Sequence, residues 1–77
     1  MRAQNPATNP AHAAPAFERL PSVKARTGLS RSEIYRRVSE GTFPRHVKLG
    51  EHTSGWVRSE VDSWIAGRIA LRDGGAR

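Results

Sequence analysis

The sequence predicts a small, mainly α-helical domain with one β-hairpin, and three observations carry that prediction. A basic segment, GLSRSEIYRRVSEG (28–41), has the start and stop residues of one helix. Short apolar-polar alternation flanks a turn-rich stretch between residues 47 and 58, which is typical of a hairpin. Apolar residues recur every three or four positions over 61–69, as in an amphipathic helix. The length of 77 residues allows a single domain.

The first helix is predicted from Pro21 to Thr27. Proline suits a first helical turn because its missing N–H has no intrahelical partner to lose. Val23 is the clearest inward-facing residue, and Gly28 is expected to end the helix. The segment 1–16 is rich in Ala, Asn and Pro and has no hydrophobic period, so we expect a disordered tail. The folded domain is predicted over 17–73, followed by a flexible C-terminus at 74–77.

The second helix is predicted over 31–40, with both ends marked in the sequence. Ser30 can accept a hydrogen bond from the Glu33 N–H, and the Glu33 carboxylate can accept one from the Ser30 N–H, which forms a capping box. Gly41 stops the helix. Its interior holds three arginines, a tyrosine and two serines but only two inward aliphatics, Ile34 and Val38.

A hairpin follows over 47–58, with a six-residue loop predicted at 50–55. Phe43 is expected in the core, and a lone hairpin must pack on the helices to be stable. Ser59 is the predicted N-cap of a last helix whose inward stripe is Val61, Trp64, Ile65 and Ile69. The order helix, turn, helix, hairpin, helix predicts a winged helix-turn-helix.

The net charge of +6 is concentrated around the second helix. Residues 24–48 hold seven basic residues against two acidic ones, so almost the whole excess lies there. This localisation favours a nucleic-acid partner. The absence of cysteine excludes disulfides and thiolate metal sites. No apolar run approaches the roughly 20 residues of a membrane span, and residues 1–16 lack the apolar core of a secretory signal. We therefore expect a cytoplasmic protein.

A helical wheel for 31–40 divides the polar residues by face. With about 100° per residue, Arg36 lies about 180° from the centre of the Ile34 and Val38 stripe. We predict Arg36 as the base reader, because a guanidinium can bond O6 and N7 of guanine together. The full set of predicted DNA-binding residues is Ser30, Arg31, Ser32, Tyr35, Arg36, Lys48 and His52. Secondary backbone contacts are predicted for Lys24, Arg26, Arg37 and Arg45.

The ordered set of motifs resembles the AlpA-type prophage regulators, within the wider group of MerR-like and excisionase winged helix-turn-helix proteins. The resemblance covers about residues 18–73 and rests on the following matches: Leu20-Pro21, Thr27-Gly28-Leu29-Ser30-Arg31-Ser32, Ile34-Tyr35, Gly41, Phe43-Pro44, Val47-Lys48-Leu49-Gly50, Gly55-Trp56, and Glu60-Val61 with Trp64. It implies sequence-specific binding of double-stranded DNA by Arg31, Ser32, Tyr35 and Arg36.

The resemblance also implies a biological setting. These proteins control transcription of mobile elements, or act as excision factors that assist a phage integrase or recombinase. We expect a prokaryotic, nucleoid-associated protein that binds as a dimer or as several adjacent copies, because one small domain covers little DNA. Where family members often carry Arg at the hairpin tip, this chain has His52 beside Glu51, which predicts a weaker phosphate contact.

Other function classes fit less well. No catalytic constellation or phosphate-cradling Gly motif is present, so we predict no enzyme activity, cofactor or metal; the spacing of His12, His46 and His52 matches no familiar metal motif. RNA-binding sheets need exposed aromatics, and only Tyr35 is expected to be free. A pure protein-interaction module is the remaining alternative.

Overall fold

The computed structural model describes residues 16–74, which fold into three helices and a small antiparallel sheet. The elements in chain order are β1 (Phe17–Glu18), α1 (Leu20–Thr27), α2 (Arg31–Glu40), β2 (Val47–Gly50), β3 (Thr53–Val57) and α3 (Arg58–Asp73). This confirms a mainly helical fold with a hairpin, compatible with a winged helix-turn-helix. The predicted tail at 1–16 and C-terminus at 74–77 lie outside the described residues, apart from Ala16 and Gly74.

The caps written into the sequence set the bounds of α1 and α2. Pro21 lies in the first turn of α1, and Gly28 ends that helix at φ +75° with its N–H donating to the Lys24 carbonyl. Gly41 ends α2 in the same left-handed conformation, at φ +79°. Residues with a side chain rarely adopt this left-handed backbone conformation, which is why glycine occupies both positions. The predicted bounds of α2 are confirmed.

The hairpin differs from the prediction in its turn. Its strands are joined by only Glu51 and His52, because Gly50 pairs with Thr53. The predicted six-residue loop was therefore wrong, and the hairpin ends at Val57 rather than at residue 58. The register of the strand pairing is irregular between Lys48 and Gly50. A two-residue connection makes a stiffer wing than a long loop would.

A third strand, which the sequence analysis did not predict, completes the sheet. β1 pairs antiparallel with β3 through Phe17 opposite Val57 and Glu18 opposite Trp56. The strand order is β1-β3-β2, so β3 is central. The Ala16 carbonyl also accepts a 2.7 Å hydrogen bond from the Arg58 N–H, which extends the pairing to the start of α3.

Gly55, in the central strand, lies against residues of both neighbouring strands. A Cβ at this position would lie 2.8 Å from Leu49 Cδ1 and 3.2 Å from the Glu18 carbonyl oxygen. The leucine methyl can move, but the carbonyl belongs to a paired strand. The close approach of β1 to β3 therefore depends on the absence of a side chain at Gly55.

The core forms where the helices meet the inner face of β3. It consists of five buried side chains: Val23, Ile34, Phe43, Trp56 and Val61. Six partly buried side chains pack around them: Leu20, Leu29, Tyr35, Val38, Trp64 and Ile65. The predicted core positions Val23, Ile34 and Phe43 are confirmed. Two indole N–H groups reach into the connection between α2 and β2: Trp56 Nε1 donates to the Pro44 carbonyl at 2.9 Å, and Trp64 Nε1 to the Thr42 carbonyl at 2.8 Å.

Helix α3 departs from the prediction at its N-cap and in the length of its buried stripe, although it ends at Asp73 as predicted. The helix begins at Arg58 with Val57 at the N-cap and no side-chain cap, so Ser59 does not cap it. At the other end Ile69 is 47% exposed. The predicted inward stripe fails there because the core ends near Ile65, while the helix continues to Asp73.

A buried carboxylate ties the first strand to two helices. Glu18, which is 5% exposed, accepts a hydrogen bond from Ser22 Oγ at 3.1 Å and pairs with Arg26 Nε at 3.3 Å. The Arg26 guanidinium also contacts Asp62 Oδ1, at 2.7 Å from Nη1. Arg26 thus joins β1, α1 and α3. A buried carboxylate needs such a partner, because an unpaired buried charge is strongly destabilising.

The close approach at Gly55 gives a stability prediction with an internal control. Gly55→Ala should lower the free energy of unfolding by about 1–3 kcal/mol, because the added methyl forces strand β1 to shift. Gly67→Ala, in the middle of α3 with nothing within 4 Å of its Cβ position, should raise it by about 0.5–1 kcal/mol. Urea unfolding of both variants measures the two signs. A neutral Gly55→Ala would contradict the packing described here.

Candidate nucleic-acid interface

The N-terminal turn of α2 is fixed by a capping box. The Glu33 N–H donates to Ser30 Oγ at 3.1 Å, and the Ser30 N–H donates to Glu33 Oε1 at 2.9 Å. Both bonds satisfy N–H groups that a helix start leaves without intrahelical partners. The Ser30 hydroxyl therefore serves the helix cap as an acceptor, while its own proton stays available to donate. The adjoining side chains Arg31 and Ser32 are exposed.

The capping box also changes the acidity of Glu33. The hydrogen bond from the Ser30 backbone N–H lowers the pKa of the Glu33 carboxyl below its ordinary 4.5, with smaller contributions from the Ser30 side chain and from Arg37 and Arg36. The charged form is the one that accepts these bonds. A carboxylate in the first helical turn also interacts favourably with the positive end of the helix dipole.

Tyr35 is half-buried and lies at the centre of a small cluster of rings. Its ring meets His46 edge-on at 5.4 Å between centroids and Trp56 at 5.9 Å, and the His46 and Trp56 rings are 5.7 Å apart. The Arg31 guanidinium carbon lies 5.2 Å from the centroid of the Tyr35 ring. This distance is within the range of a cation–π interaction. Arg31 therefore rests on a ring that is held from inside the fold.

A polar cavity opens between α2 and the wing, the hairpin formed by β2 and β3. It has a volume of about 220 Å³ and brings together three of the predicted site residues, Arg31, Tyr35 and His52. The other side chains that line it come from the start of α1 and from β3: Arg19, Leu20, Pro21, Ser54 and Trp56. Two arginines, a histidine, a serine and a tyrosine thus line one concavity. Such a surface suits a phosphate group.

The rest of α2 presents a second exposed cation. Arg36 is exposed, and its Nη1 lies 3.5 Å from both carboxylate oxygens of Glu40. An exposed ion pair at that distance contributes little stability, so the guanidinium can exchange Glu40 for another acceptor. Arg37 differs, because its Nε is buried without a hydrogen-bond partner among residues 16–74. Arg37 therefore partly faces the fold, unlike Arg36.

The wing carries Lys48 and His52 on exposed backbone. Lys48 Nζ donates to the Glu51 carbonyl at 3.0 Å, so its ammonium bridges the wing turn. His52 forms the turn with Glu51 and lines the cavity beside α2. The short turn thus places His52 close to the helix rather than at the tip of an extended loop.

The remaining predicted residues lie apart from this cavity. Lys24 is exposed on α1, and the Arg26 guanidinium is already engaged by two carboxylates, which does not favour a DNA contact. Arg45 lines a different, larger groove of about 640 Å³ beside the start of α3, with Phe43, Pro44 and Glu60. The structure therefore brings together Arg31, Tyr35 and His52 but leaves Arg45 on another surface.

Several residues at the cavity were missed from the sequence. Arg19 and Ser54 line it, and His46 supports its tyrosine, yet none of them lies in the basic helix or at the wing tip. The one sequence feature that could have indicated Arg19 as a site residue is its position immediately before the Pro-containing start of α1. The prediction that Tyr35 is the free aromatic side chain also needs correction. Tyr35 packs against His46 and Trp56, whereas Phe17 is 48% exposed.

The described part of the chain has neither a metal-binding cluster nor a membrane-spanning helix. Within residues 16–74, no group of three or more His, Asp or Glu side chains has the geometry to hold a metal ion. Over the same range, no helix combines the length and apolar character needed to cross a membrane.

Comparison with known proteins gives one family. The family model described as "Prophage CP4-57 regulatory protein (AlpA)" matches residues 17–69. A protein of Enterobacteria phage P4, described as "Uncharacterized protein ORF88", is 49% identical over 59 residues, which cover 77% of this chain and 67% of that protein. The "DNA-binding transcriptional activator AlpA" of Escherichia coli K12 is 36% identical over 59 residues, covering 69% of this chain and 84% of that protein.

The lowered pKa of Glu33 predicts an acid-dependent loss of stability. Because the folded pKa lies below the unfolded value, the stabilisation is present above about pH 4.5 and is lost as the pH falls through the folded pKa. Glu33→Gln can keep a capping interaction but does not titrate. Between about pH 6 and about pH 3, its melting temperature should therefore fall less than that of the wild type. Equal slopes of melting temperature against pH for the two proteins would contradict the assignment.

Proposed function

Because the chain belongs to the AlpA family of prophage regulatory proteins, we propose that it binds double-stranded DNA sequence-specifically and regulates transcription. The relative from Escherichia coli is named as a DNA-binding transcriptional activator. The observation that carries the proposal for this chain is the polar cavity between α2 and the wing. It is lined by Arg19 and Arg31 together with Tyr35 of α2, Ser54 of β3 and His52 of the wing turn.

The proposed docking places α2 in the major groove. In helix-turn-helix proteins the N-terminal part of the second helix contacts base edges, and here that part carries Arg31 and Ser32, both exposed. Arg36 lies about one turn further along the same helix and is the proposed principal reader of guanine. In the free protein the Arg36 guanidinium forms only a weak ion pair, with Nη1 3.5 Å from Glu40 Oε2. Binding to a base would replace this contact.

The cavity and the wing are proposed to hold the phosphate backbone. A phosphate seated between Arg19 and Arg31 would lie beside His52 and Ser54, since all four line the same concavity. Lys48 adds an exposed ammonium on β2. Contacts of this kind fix the register of a protein on the duplex, while base contacts supply the specificity. We therefore propose that Arg36 reads the bases, while Arg19, Arg31 and Lys48 position the protein on the phosphate backbone.

The assignment of Arg36 predicts a loss of sequence preference on substitution. Arg36→Ala should weaken binding to the preferred duplex by about 1–3 kcal/mol and relax the preference at one base pair, by analogy with a bidentate arginine–guanine contact. Arg72→Ala is the matched control, since it removes the same charge from the far end of α3, where Arg72 pairs with its neighbour Asp73.

Both variants are titrated against a duplex selected from a random pool and against a scrambled duplex. The assignment requires a smaller ratio of the two affinities for Arg36→Ala and a wild-type ratio for Arg72→Ala. An unchanged ratio for Arg36→Ala would show that another residue reads the sequence.

The salt dependence of binding tests the function class itself. Roughly four to six phosphate contacts should give a slope of about −4 to −5 for the logarithm of the association constant against the logarithm of salt concentration. The same titration with duplex RNA and single-stranded RNA of matched sequence compares the alternatives. A flat salt response, or tighter binding to RNA than to the selected DNA, would refute the proposal.

A further inference from the structure

His46 is a half-buried residue whose ring contacts Tyr35 of the candidate interface. It lies in the connection between α2 and β2, and its Nδ1 is buried without a hydrogen-bond partner among residues 16–74. A buried nitrogen without a partner is unfavourable relative to a carbon atom in the same place. Hydrogen bonding at Nδ1 therefore does not explain histidine at this position, whereas its ring contacts both Tyr35 and Trp56.

The ring of His46 contacts the interface through Tyr35. The two rings meet at 71° with centroids 5.4 Å apart, which is an edge-to-face arrangement. Behind His46 lies Trp56, which is completely buried and whose indole N–H donates to the Pro44 carbonyl. The histidine is thus held by the core on one side and supports the tyrosine on the other.

The tyrosine in turn carries a cation of the interface. The guanidinium carbon of Arg31 lies 5.2 Å from the Tyr35 ring centroid, and both residues line the polar cavity beside the wing. A long arginine side chain loses conformational freedom when it binds, so support in the free protein reduces that loss. Trp56 and His46 therefore both support the Tyr35 ring from the core side, and Arg31 lies over that ring.

We propose that His46, acting through the ring of Tyr35, holds the Arg31 guanidinium in its DNA-binding orientation and is a positioning residue for DNA binding. The proposal rests on the proposed function, because it assigns His46 an effect on DNA binding without contact to DNA. It requires the effect of His46 to pass through Arg31 and to depend on an aromatic ring rather than on a hydrogen bond.

A double-mutant cycle tests the route of the effect. Affinities for the selected duplex are measured for wild type, His46→Ala, Arg31→Ala and the double variant. His46→Ala should weaken binding about two- to tenfold, the range that one aromatic edge contact supplies. In the Arg31→Ala background the same substitution should have almost no further effect, since the group that it positions is gone. Equal losses in both backgrounds would overturn the proposal.

The conservative variant His46→Phe separates positioning from structural damage. It keeps a ring at the same place and removes the buried unpaired nitrogen, so it should melt no lower than the wild type and bind the selected duplex with nearly wild-type affinity. A loss of affinity in His46→Phe as large as that in His46→Ala, at unchanged melting temperature, would overturn the role of the ring.

A measurement without DNA keeps the two proposals distinguishable. In the NMR spectrum of the free protein, the Tyr35 ring should shift the Arg31 side-chain protons upfield. This shift should shrink in His46→Ala and persist in His46→Phe. Absence of the change would overturn the positioning role even if DNA binding stands. Conversely, a wild-type protein that shows the shift but selects no duplex would refute the proposed function and the DNA part of this inference together.

Discussion

The burial of Trp56 is the constraint on which the proposed interface depends. The side chain has no exposed surface, its indole N–H is bonded to the Pro44 carbonyl, and its ring lies against Tyr35 and His46. A tryptophan so placed joins the central strand of the sheet to α2 and to the connection that follows it. Because the wing and the basic helix share this one side chain, their relative orientation is set by the core.

The basic residues differ in whether their charged groups already take part in contacts that stabilise the fold. Arg26 holds a buried carboxylate and a second one on α3, so its charge is used in folding. Arg31 rests on a ring, and Arg36 has only a weak exposed partner. A net charge of +6 is therefore a poor measure of binding capacity. The informative quantity is which guanidinium groups remain free to meet phosphates or bases.

Features that depend on neighbours in the sequence were predictable, and features that depend on distant partners were not. The capping box at Ser30 and the stop at Gly41 act within four residues, so the bounds of α2 followed from the sequence. The composition of 50–55 indicates a turn but cannot show that Gly55 lies against strand β1. Likewise, the periodicity of α3 continues to Ile69 although the core ends earlier, because the period shows which residues share a face and not how much of that face is covered.

We propose that DNA lies across the N-terminal end of α2 and the adjoining wing, and backbone NMR during titration with a selected duplex tests this placement directly. Amide shifts should concentrate at Arg31, Ser32 and His52, with those of the exposed end of α3 near Ile69 unchanged. Shifts that concentrate on the α3 end while the N-terminal turn of α2 stays unperturbed would contradict this placement of the DNA.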